Sequence, residues 1–145
     1  MAACACFCGR ELASFLPWGV TWLSGPNDWD KWQLCALSAP AAEQMADRPL
    51  LCRTLLLPEG MYCPAWQASQ VVSYGLSGRS SLTLSSMGDR DLLCVQRTLV
   101  DRSGRSVEEQ ELCLPRRWGR VPPADRLLLA GIWLLWGGLP PDTGN

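Results

Sequence analysis

Cys4, Cys6 and Cys8 alternate in the opening MAACACFCG, so on an extended strand their three thiols share one face. Three uses compete for them. The leading one is a short terminal strand in which Cys serves as a small apolar residue. The second is a cluster acylated beside a membrane, although no amphipathic helix or basic run accompanies it. The third is zinc, but the spacing lacks the Cys-x₂-Cys knuckle and the chain has no His to complete a site. A second group is Trp22, Trp29 and Trp32, interleaved with Asn27, Asp28 and Asp30. Indole faces beside carboxylates can line a cleft for a sugar or a peptide. The same indoles also serve as core or partner contacts, which is the preferred reading. The third group is Arg116, Arg117, Trp118 and Arg120. Guanidinium around an aromatic platform suits phosphate or single-stranded nucleic acid. The patch is small, however, and Glu108, Glu109 and Glu111 precede it as ready counter-charges, so a solvated loop is preferred. Trp22, Asp28, Trp29, Asp30, Trp32, Arg116, Arg117, Trp118 and Arg120 are thus the candidate partner or ligand contacts.

Catalysis has little to work with. Absence of His removes the usual general base, proton shuttle and metal ligand. No Gly-rich phosphate loop, G-x-S-x-G or motif-placed carboxylate pair occurs. A cysteine nucleophile would need a depressed thiol pKa without an imidazole beside it. No enzyme, cofactor or metal is expected.

A net charge of −1 supplies no field to attract nucleic acid or an anionic membrane, and neither partner is expected. The 145 residues, 48% hydrophobic and 19% charged, suit one β-rich globular domain, in which residues 1–10 can form a peripheral Cys-rich segment. A chain of this length buries roughly 70% of its unfolded surface without crosslinks. The opening lacks the basic start and apolar core of a secretory signal, which points to the cytosol or nucleus, where thiols stay reduced.

The elements that must position these groups follow from punctuation and periodicity. Leu92–Leu114 reads as a hairpin turning at Ser103-Gly104, with Leu93, Val95, Leu99, Leu112 and Leu114 on one face that must be buried. A two-residue loop pairs Val100 with Val107, Val95 with Leu112 and Cys94 with Cys113. A three-residue loop with Gly104 in a bulge slips the register by one and matches apolar residues less well, so the first is preferred. Pro17–Leu37 reads as a second hairpin around Gly25-Pro26-Asn27-Asp28. Ser38–Asp47 carries Pro40 near a helix start, and Leu50–Leu57 is a buried strand bounded by prolines. Tyr62–Tyr74 is ambiguous between a helical turn at Pro64–Gln67 and a strand at Gln70–Tyr74, and Leu82 and Leu84 alternate in a further strand. The uncharged run Leu127–Leu139 is too short to span a bilayer, which takes about 20 residues. A helix apolar all round is uncommon in a domain of this size, so a strand covered on both faces is slightly preferred over a helix.

The fold expected is mainly β, a sandwich or partly closed barrel of about seven or eight short strands with one or two short helices. The function expected is a non-catalytic protein–protein interaction module, an adaptor or regulatory subunit. Its alternative is a carbohydrate- or small-ligand-binding sandwich using the Trp/Asp loop around residues 22–32. Plentiful Trp and Arg favour the former, since both are enriched at interface hot spots.

Overall fold

Pro122-Pro123 and Gly137-Gly138 bracket a run of Leu, Ala and Trp in which Ile132 is the lone β-branched residue. In the computed structural model, which describes residues 5–7, 9–23 and 32–142, that run is a helix, α2 (Pro123–Trp136). The preference for a strand is thereby overturned. Pro123 enters with a preset φ, Gly137 leaves at φ 149°, and unbranched side chains keep their rotamers in a helix. An all-apolar helix is tolerated because it is enclosed. The sheet lies on one side, and the segment around the 3₁₀ turn Arg10–Phe15 packs against it with Phe15, Leu16, Val20 and Trp22. Two indoles fasten that segment. Trp133 Nε1 donates to Phe15 O at 2.8 Å, and Trp136 Nε1 donates to Trp18 O at 3.0 Å. At Gly131 the helix comes so close to the sheet that a Cβ would lie 2.8 Å from Leu56 and 3.1 Å from Leu82.

The chain is mainly β, as expected, but its long strands lie in one sheet rather than in two facing ones. Its strands are β1 (Ala5–Phe7), β2 (Thr21–Trp22), β3 (Trp32–Leu37), β4 (Leu50–Pro58), β5 (Trp66–Tyr74), β6 (Leu82–Met87), β7 (Arg90–Val95) and, last in the chain, β10 (Gln110–Cys113). The spatial order is β10-β7-β6-β5-β4-β3-β1-β2. Every contact from β2 through to β6 is parallel, and β7 and β10 add antiparallel neighbours. The expected hairpin over Pro17–Leu37 does not form, because β1 inserts between β2 and β3 and pairs parallel with both. Strand β1 contains Cys6, which agrees with the terminal-strand reading; Cys4 and Cys8 lie outside the described residues.

Each face of the sheet carries a core. Leu34, Ala36, Leu56, Val72, Leu82, Leu93 and Val95 meet α2 on one face. On the other, Cys35, Leu37, Leu55 and Leu57 meet Ala41, Ala42 and Met45, which belong to or follow α1 (Ala39–Gln44), together with Trp66. Burial on both faces explains why β4 is apolar at nearly every position. Helix α1 realises the expected start, with Ser38 as N-cap accepting from Ala41 N at 3.3 Å and Pro40 in the first turn.

The central hairpin keeps its face and loses its register. Leu93, Val95, Leu99 and Leu114 are buried and Leu112 is half-buried. At the tip, β8 (Leu99–Val100) pairs with β9 (Ser106–Val107) as Leu99↔Val107, and Asp101 N donates to Arg105 O at 2.9 Å. That is the three-residue loop, with Gly104 at φ 88°. Asp101 decides it. Its Oδ1 accepts from Ser103 N at 2.9 Å, Ser103 Oγ at 2.6 Å and Arg105 N at 3.0 Å, bonds that outweigh the better apolar match of the narrower turn. A further slip at Gln96–Thr98 brings Leu112 opposite Leu93. Two slips of one restore the parity, so the apolar face survives while Cys94 lands opposite Glu111, away from Cys113.

Substitution tests this tip. No atom lies within 4 Å of a Cβ at Gly104, so Gly104→Val is charged only for its backbone, about 1 kcal/mol or more by thermal melting. Arg102→Ala, which looks neutral on sequence grounds, loses a guanidinium stacked 4.2 Å from the Trp136 ring centroid, worth about 0.5–1 kcal/mol. Burial works to raise the Asp101 carboxyl, but the bonds from Ser103 and Arg105, with the charge of Arg105, hold it below its usual range. A lowered carboxyl stabilises above its unfolded pKa and loses that contribution as pH falls through the folded value. The protection of the Gly104 amide, taken relative to its intrinsic exchange rate, is expected to fall on acidification through that window, and Asp101→Asn to abolish the step.

Candidate functional site

Trp22 ends β2 and packs with the α2 core, whereas Trp32 begins β3 and packs with the α1 core on the opposite face. The two indoles therefore line no common cleft. Asp28, Trp29 and Asp30 lie outside the described residues. Arg116, Arg117 and Arg120 sit exposed on a 3₁₀ helix (Arg116–Arg120), and Arg117 Nη1 donates to Pro141 O at 3.3 Å. Trp118, read as their aromatic platform, is 1% exposed and stacks at 44° on Trp133, 6.5 Å between ring centroids. It anchors the 3₁₀ helix in the core. The nearby glutamates form no ion pair with these arginines among the described residues, where the bridges are Arg90–Asp142 and Arg126–Asp91.

Two features stand out that residue types alone did not mark. The first is Trp18, 95% exposed. Val20 N bonds back to Pro17 O at 3.2 Å and Gly19 takes φ 93°, which makes Trp18 the apex of a tight turn. Because Trp18 O is also held by the Trp136 indole, the backbone is fixed while the side chain is bare.

The second is a crevice. Parallel β3, β4 and β5 end on the same side, at Leu37, Pro58 and Tyr74, and α1 and α2 begin there. The carboxyl ends of parallel strands are where open α/β sheets form binding crevices. Here the opening holds about 320 Å³, lined by Ser38, Ala39, Pro40, Pro58, Glu59, Tyr74, Gly75, Leu76, Ala124, Asp125 and Leu127. Tyr74 OH donates to Leu37 O at 2.9 Å across its floor. Ser77 Oγ lies 2.6 and 2.7 Å from the two Glu59 carboxylate oxygens and fixes that side chain. Asp125 sits in the first turn of α2, with its carboxyl raised by burial and then by the charge of Glu11. The lining includes no Lys or Arg. In the sequence Glu59 falls in the Pro58-Glu59-Gly60 boundary of a strand, and neither it nor Asp125 is marked as a site residue. Only the parallel order brings them together.

Cys52 offers no activated nucleophile. Burial pushes the Cys52 thiol up to about 12, the reverse of what a thiolate attack needs. Cys35, Cys52 and Cys63 are buried, Cys94 is half-buried and Cys113 is exposed. Maleimide under native conditions is expected to label Cys113 first, and Cys35, Cys52 and Cys63 only once denaturant is added, as read by peptide mass mapping. Among the described residues no three His, Cys, Asp or Glu converge as a metal site, and no helix is long and apolar enough to cross a membrane. Comparison with protein-family models, with curated proteins and with solved structures finds no match.

Proposed function

We propose that the protein is a non-catalytic interaction module, an adaptor or regulatory subunit of the cytosol or nucleus, and that Trp18 is its principal contact with a protein partner. The exposure of Trp18 on a fixed turn carries this reading. An indole presented by a rigid backbone loses little conformational freedom on binding and brings a large apolar area. Tryptophan is also the residue type most enriched at hot spots, where truncation costs 2 kcal/mol or more, about thirtyfold in affinity. The carbohydrate alternative has less behind it, since Trp22 and Trp32 face opposite cores.

The test is capture of a stoichiometric partner from the native cell by the full chain and by Trp18→Ala. Loss of at least tenfold in partner affinity with an unchanged melting temperature supports the proposal. Undiminished capture by the variant overturns it.

A further inference from the structure

We propose that the crevice at the carboxyl ends of β3, β4 and β5 is a binding site for a protonated aliphatic amine, its methylene body against Pro40, Pro58 and Leu127 and its charge compensated by Glu59 and Asp125. This site is independent of the Trp18 contact. A volume of about 320 Å³ lies in the range of small-molecule sites and is far larger than a single ion requires. Most of its lining is apolar, and Glu59 and Asp125 are its only carboxyl side chains, with no cation beside them in the lining. An anionic ligand would meet like charge, and a sugar would find few hydroxyl partners, since the hydroxyls of Ser38 and Tyr74 are already engaged with Ala41 N and Leu37 O and most of the remaining lining is Ala, Pro and Leu.

Among the described residues neither carboxylate takes part in a salt bridge. Both ion pairs among the described residues use other acids, Asp142 and Asp91. A helix N-terminus normally favours a carboxylate, yet burial and the neighbouring Glu11 still hold Asp125 high, so the place is short of positive charge. An ammonium supplies it. Glu59 is already oriented by Ser77 Oγ, whose own position is set by Arg79 N at 3.1 Å. Gly75 keeps the approach open. A Cβ there would fall 3.3 Å from Glu59 Oε2 and 2.9 Å from Ser80 Oγ.

The experiment follows backbone amide NMR shifts of the full chain during titration with butane-1,4-diamine, with butane-1,4-diol as the uncharged control. Saturable shifts at Gly75, Leu76 and Asp125 are expected with the diamine at about millimolar concentration and not with the diol. The double variant Glu59→Gln, Asp125→Asn should weaken the diamine at least tenfold with the melting temperature kept, since it removes like-charge crowding. Titration with N-acetyl-lysine methylamide identifies the source. Tighter binding than the diamine assigns the ammonium to a partner's lysine side chain, and weaker binding assigns it to a free amine. The proposal is overturned if the diol shifts the same amides as strongly, if the double variant binds the diamine unchanged, or if shifts grow without saturation and spread to Glu108, Glu109 and Glu111. Trp18→Ala should leave the diamine titration as it is, so this site and the protein contact fail or stand separately.

Discussion

A chain ended after Asp125 is expected to precipitate, or to stay in solution without a cooperative thermal transition. The truncation removes Leu127, Leu128, Leu129, Ile132, Leu134, Leu135 and Trp136, each buried to 5% exposure or less. At roughly 1.5–3 kcal/mol for each large side chain, their burial contributes about 10–20 kcal/mol, against a typical total stability of 5–15 kcal/mol. The loss goes beyond area. Without Trp133 and Trp136 the carbonyls of Phe15 and Trp18 lose their donors, and without the helix the sheet face carrying Leu56, Val72, Leu82 and Leu93 is open to water. Circular dichroism and thermal melting of the truncated chain decide the matter. A soluble product with a sharp transition would mean that α2 is an accessory to an independently stable sheet.

Trp118→Ala is expected to cost about 3–5 kcal/mol, lowering the melting temperature by roughly 6–20 °C for a chain of this size. The indole is buried to 1% exposure against Trp133, so its removal leaves a cavity in a packed core. Its carbonyl, moreover, is one of several gathered by Arg126. Nε reaches Trp118 O at 3.2 Å and Nη2 reaches Val121 O at 2.7 Å, while Nη1 pairs with Asp91 at 2.7 Å. Loosening the indole therefore loosens a connected set of bonds between the 3₁₀ helix, α2 and β7. Arg116→Ala and Arg120→Ala, on the exposed side of the same turn, should stay within about 0.5 kcal/mol. The reverse ranking, with the arginines costly and the indole free, would restore Trp118 as an exposed platform.

The contrast inside this five-residue segment shows how far the sequence could be read. Arg-Arg-Trp-Gly-Arg announces an aromatic among cations but not its orientation. That is set by Trp133 and by contacts formed after the chain has folded back. Local signals did carry α1 and β4, because a Pro-started helix and a proline-bounded apolar run depend on neighbours in sequence. The apolar face of the central hairpin was legible for the same reason, since period two survives any even slip. Its register was not, because three hydrogen bonds to one Asp101 oxygen decide it and apolar matching says nothing of them. The hairpin between β6 and β7 had a local mark, Gly88-Asp89 as a two-residue loop, that composition alone passed over. Parallel order is a different matter. Nothing in Ala5–Phe7 says that it will separate β2 from β3, and nothing local says that β3, β4 and β5 will run parallel and end together at the crevice. Helix α2 is not legible locally, because what covers its outer side comes from residues far earlier in the chain.

That last arrangement bears on how the protein is made. The segment from Arg10 to Trp22 and the strands from β3 to β7 leave the ribosome well before α2. At about 5–20 residues per second, the roughly 100 residues between β3 and the end of α2 correspond to about 5–20 s during which one sheet face has no cover. Its leucines and valines are then a target for self-association or for a chaperone, and the indole donors that close the N-terminal segment do not yet exist. Closure of this face of the sheet is timed by the arrival of α2.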